Sequence, residues 1–72
     1  MRIQHLLGKN VRLLRETRNW SQEKLSEASG LHRTYISGIE RGVRNPTIEI
    51  ADQIAIALNV PVSDLFKEHR GR

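Results

Sequence analysis

Apolar residues fall at Leu7, Val11 and Leu14, with Leu6 beside them, and this i, i+4, i+7 spacing lays one stripe along a helix. It predicts a first helix from about Ile3 to Arg18, broken at Asn19 and Trp20. Ser21 suits an N-cap for a second helix, Gln22 to about Ser29, with Leu25 and Ala28 inward and Glu23 and Lys24 outward. Gly30 suits the left-handed conformation of a tight turn. A third helix runs from about His32 to Arg41, with Ile36 and Ile39 inward, and Gly42 ends it. After the loop at Val43 to Pro46, Thr47 can cap a fourth helix that runs to about Leu58. Ala51, Ile54, Ala55 and Leu58 share its core face, and Asn59 can close it in the left-handed conformation. Val60 precedes Pro61, which disfavours further helix there and suits the first turn of a last short helix, Val62 to about Lys67. The expected fold is all-α, with five short helices around one core in a single domain over residues 1–68, and a short basic tail at 69–72.

The second and third helices, with the Gly-containing turn between them, form a helix-turn-helix over about residues 22–41. Ala28 is small where the two helices come close. Gly38 is the anomaly, because a Gly inside a helix costs about 1 kcal/mol relative to Ala. Its predicted position faces outward, so the expectation is that it lets the helix approach a partner closely.

Charge narrows the class of partner. Lys and Arg exceed Asp and Glu by 12 to 8, a net +4, which suits a polyanion. One Phe, one Tyr and one Trp are too few for a stacking surface for single strands. There is no Cys, so no disulfide and no thiolate site. His5, His32 and His69 are dispersed without metal-ligand spacing, and no nucleophile elbow or phosphate loop occurs, so no metal, cofactor or enzymatic activity is expected. No apolar run approaches a membrane span, and the expected location is the cytoplasm.

The stretch from Leu14 to Phe66 resembles the Xre, or lambda-repressor-like (Cro/C1-type), helix-turn-helix family. The resemblance is carried by Ser21-Gln22, Gly30, the run ISGIERG, Asn45-Pro46, Leu58-Asn59-Val60 and Leu65-Phe66. RTYISGIERGVRNPT is most like the controller proteins of restriction-modification systems, which are short dimeric regulators. The third helix is then the candidate recognition helix. Its outward residues Arg33, Thr34, Ser37 and Gly38 are candidate base contacts. Arg33 can donate two hydrogen bonds to guanine, and Thr34 can bond a base edge or meet a thymine methyl. The resemblance adds Tyr35 and Arg44 to the base contacts. Gln22, His32, Arg41, Asn45 and Thr47 are candidate phosphate contacts, which set affinity and register. The resemblance also implies an at least partly buried structural ion pair between Arg15 and Glu40.

One recognition helix reads only a few base pairs, so the expected partner is a pseudo-palindromic double-stranded operator bound by a homodimer, with half-sites about 34–36 Å apart or a multiple of that. Ile56 falls opposite the core face of its helix, and with Val62 and Phe66 it is the candidate dimer patch. No small-molecule effector is expected, since core and connections use nearly every residue. Two alternatives stay open: an antitoxin-like module that binds a protein partner and represses its own operon, and an adaptor that binds nucleic acid without sequence preference.

Overall fold

A computed structural model describes residues 2–68; the expected basic tail at 69–72, with His69, lies outside the described residues. Four α-helices follow one another: α1 (Ile3–Thr17), α2 (Gln22–Ser29), α3 (Arg33–Glu40) and α4 (Ile48–Leu58). The expected fifth helix is instead a 3₁₀ turn, Val62–Phe66. Between Pro61 and the extended Lys67 only five residues are available, and i→i+3 bonds, such as that from the Asp64 N–H to the Pro61 carbonyl, close a turn in fewer residues than α-helical ones. The side-chain amide of Asn10 donates to the carbonyls of Leu65 (2.9 Å) and Lys67 (2.8 Å), so this segment satisfies its backbone across the molecule. Asn10 is buried, and this polar contact beside the core was missed in the sequence because its partners are more than fifty residues away.

The helix ends follow local chemistry. Ser21 caps α2 by accepting from the Lys24 N–H, and Thr47 caps α4 by accepting from the Ile50 N–H. Asn19, Gly42 and Asn59 all take positive φ, just past the ends of α1, α3 and α4. Each sits in a paired Schellman arrangement. At the end of α3, for example, the Val43 N–H reaches the Gly38 carbonyl and the Gly42 N–H reaches that of Ile39.

Leu7, Val11, Leu25, Ile36, Ile39, Ile54, Leu58 and Leu65 make one buried core to which every helix contributes. Ala28 does not join it: it is exposed, and Ser29 is buried in its place. Ser29 lies one turn beyond Leu25, so the inward stripe of α2 continues through it. Its hydroxyl accepts from the Leu31 N–H, and its carbonyl accepts from the Gln53 side chain at 2.6 Å. The turn of the helix-turn-helix is therefore pinned to α4 by a hydrogen bond.

Gly8 decides how closely α1 lies on α3. A Cβ built there would collide with the Ile39 carbonyl oxygen and stand 2.8 Å from that of Glu40. Both obstacles are backbone, so neither can swing aside. Gly8→Ala should therefore destabilise the fold by about 2–3 kcal/mol despite the better helix propensity of Ala. Urea unfolding followed by circular dichroism measures this; a stability equal to or above that of the parent chain would show that α1 can shift at no cost.

Candidate nucleic-acid interface

Helix α3 has two unlike sides. Ile36 and Ile39 are fully buried in the core. Arg33, Thr34 and Arg41 are exposed on the other side, with Ser37 half-buried between them. Helical periodicity puts these four on one face. His32 stands just before the helix as its N-cap, its ring nitrogen accepting from the Thr34 N–H at 3.3 Å. Asn45 and Thr47 are exposed in the loop and cap that lead into α4.

Charge is sorted across this segment. From Gly30 to Thr47 there are three arginines, Arg33, Arg41 and Arg44, and a single acidic residue, Glu40. Glu40 is turned inward. Its carboxylate accepts from Arg15 Nε (2.7 Å) and Nη2 (2.9 Å), a bidentate pair, and from Gln22 Nε2 (3.1 Å). Arg15 Nη1 donates to the Trp20 carbonyl at 2.7 Å. The two charged side chains are only 11% and 4% exposed. The Arg15 pKa is raised above its already high ordinary value, first by the hydrogen bond to Glu40, with burial opposing and the charges of Glu40 and Glu16 assisting. A raised pKa on a cation means that Arg15's share of stability is present below its unfolded pKa and is lost only in extreme alkali.

This arrangement changes the expected role of two residues. Gln22, read from the sequence as a phosphate contact, spends its side-chain amide on Glu40. Gly38, read as an open outward position, is buried. The side chain of Arg44 lies across it, and a Cβ at Gly38 would stand 2.5 Å from Arg44 Cγ. The Arg44 guanidinium continues to Tyr35, 5.6 Å from the ring centroid, a cation–π distance. Tyr35 is half-buried, with its ring against the core on one side. The phase of α3 alone puts Gly38 outward; the returning loop, which the phase does not contain, covers it.

The structure brings Arg33, Thr34, Ser37, Arg41, Tyr35 and Arg44 together around α3. Of the candidate dimer residues, Ile56 is 70% exposed on α4, Val62 is half-buried, and Phe66 lines a shallow apolar groove with Ile3, Pro46 and Ile48. Phe66 shares that groove with Asn45 and Thr47 of the candidate phosphate contacts. Among the described residues, no group of three or more His, Asp or Glu side chains could hold a metal ion, and no helix is long and apolar enough to cross a membrane.

Residues 11–65 match the family model described as helix-turn-helix. The chain is 49% identical over 66 residues to the control protein C.SmaI of Serratia marcescens, covering 92% of this chain and 79% of that protein. It is 48% identical over 65 residues to the control protein C.BamHI of Bacillus amyloliquefaciens, covering 89% and 80%. Among solved structures it is similar to the restriction-modification controller protein C.AhdI of Aeromonas hydrophila, with a TM-score of 0.85 and 38% identity over 88% of this chain and 96% of that one.

Glu40→Gln keeps the shape of the junction and removes its negative charge, leaving Arg15 buried without a counter-charge. The expected cost is about 3–5 kcal/mol, a large share of the stability of so small a domain. Thermal and denaturant unfolding report it. A loss under about 1 kcal/mol would reduce the pair to the worth of a surface ion pair.

Proposed function

The chain belongs to the helix-turn-helix family, and on that premise we propose that it is a sequence-specific, double-stranded-DNA-binding transcription regulator that works as a homodimer. The observation that carries this reading is the sorting of charge on the helix-turn-helix. The single acidic residue between Gly30 and Thr47 is consumed by Arg15, so Arg33, Arg41 and Arg44 face a partner with no exposed carboxylate among them. Such a face fits a phosphate backbone, and its helix fits a major groove.

Within that reading the roles divide by chemistry. Arg33 and Thr34, at the N-terminal end of α3, read base edges, and Ser37 extends the contact by half a turn. Arg41, Asn45, Thr47 and the ring of His32 hold phosphates on either side. The capped start of α2 offers its backbone N–H groups to a phosphate even though the Gln22 amide is engaged. Ile56, Val62 and Phe66 form the contact between two copies. The finer reading is that of a restriction-modification controller protein, supported by the likeness to C.SmaI, C.BamHI and C.AhdI over most of their length. Control then comes from the concentration of the protein, through its dimer equilibrium and the number of operator sites filled.

Selection of bound sequences from a random duplex pool at near-physiological salt tests this. The expected product is a two-fold-symmetric site. Arg33→Ala should relax one position in each half-site by about 1–3 kcal/mol of discrimination. Absence of any enriched sequence, with binding that fades steeply as salt rises, would replace this reading with that of a non-specific binder.

A further inference from the structure

Gly38 leaves a vacancy on α3, and another part of the chain fills it. The Schellman turn at the end of α3 folds the chain back, with the Val43 N–H on the Gly38 carbonyl at 3.0 Å and Gly42 at φ +77°. In such a turn the residue after the left-handed position commonly rests on the side chain three residues before the helix cap. Here that residue is Gly38, which has none, and Val43 stays exposed. The next residue takes the place instead. The Arg44 stem crosses the bare Cα of Gly38, and its guanidinium stops over the Tyr35 ring, one turn nearer the N-terminal end of the helix. Any side chain at position 38 would need the space of Arg44 Cγ, and this is a stem atom, not the mobile tip.

We infer that Gly38 is a specificity-determining position that acts through Arg44. By having no side chain it seats Arg44 on the recognition helix, so that a loop residue presents its guanidinium over Tyr35, as if it were a side chain of α3. The Tyr35 ring is the other half of the seat: it holds the cation in one orientation before DNA arrives, which lowers the ordering cost of a long side chain on binding. Arg44 then reads an edge at one base position of each half-site, with five donors in a fixed fork. This inference rests on the DNA-reading function proposed above, and it goes further by assigning a role to Gly38, which touches no DNA itself.

The test uses Gly38→Ala, Arg44→Ala and the double variant in the full chain, with two readouts. The first needs no DNA. The chain has one Tyr, so the side-chain protons of Arg44 should show ring-current shifts in the NMR spectrum of the parent protein and lose them in Gly38→Ala. The second is base preference in duplex selection. Gly38→Ala and Arg44→Ala should each lose about tenfold of preference at the same base position, and the double variant should be no worse than either single one. The inference is overturned if Gly38→Ala keeps the ring-current shifts, or keeps the preference that Arg44→Ala loses, or if the two losses add. Circular dichroism should show Gly38→Ala folded, because Ala favours the helix. If the parent protein selects no sequence at all, the DNA-reading function fails, and the seating of Arg44 is still decided by the NMR readout.

Discussion

The Arg15 guanidinium is the point where four parts of the chain are tied together. It stands on α1, binds the carbonyl of Trp20 in the first connection, and grips Glu40 at the end of α3 with two parallel bonds. Gln22, at the start of α2, shares the same carboxylate. Taking this pair out of water costs several kcal/mol per ion, and only good geometry offsets that. The bidentate fork and the carbonyl on its flank supply such geometry. A hydrophobic contact in the same place would slide; a planar fork on a carboxylate fixes both distance and direction. The orientation of α3 against α1 and α2 follows from it.

The same junction shapes the surface. Glu40 is the one acidic side chain in the segment that includes α3 and its flanking turns, and turning it inward leaves arginines as the exposed charges there. A structural ion pair thereby performs an electrostatic task on the far side of the helix. Gly8 belongs to this arrangement. It brings the α1 backbone so near the last carbonyls of α3 that no side chain fits between them, next to where the Arg15–Glu40 pair closes. Position and charge of the candidate interface are thus set from behind, by residues that do not take part in it.

The loop after α3 adds a second level. Its path is fixed by the two hydrogen bonds of the Schellman turn and by Gly42, against which the His5 ring packs so closely that no Cβ would fit. A turn with so little freedom can deliver Arg44 to one place. Exposed apolar side chains are spread over α1, this loop, α4 and the 3₁₀ turn, at Ile3, Leu13, Val43, Ile48, Ile56 and Phe66.

What the sequence determined by itself is the local structure. Ser21, Thr47, Gly30, Gly42 and Asn59 mark helix ends because caps and left-handed residues act within a few positions of themselves. The apolar stripes of α1, α3 and α4 are legible for the same reason, since helical periodicity is a local property. The family likeness extended that reading to Arg15 and Glu40, which lie 25 residues apart and which spacing alone could not join. Tertiary structure decided the rest. It tied Ser29 to α4, where the Gln53 side chain donates to its carbonyl. It anchored the end of the 3₁₀ segment to α1, because Asn10 lies where it can donate to the carbonyls of Leu65 and Lys67. It covered Gly38 with Arg44 and pressed Gly8 against α3. Each of these depends on where one element lies on another, and a missing side chain carries no sign in the sequence of which neighbour will occupy its space.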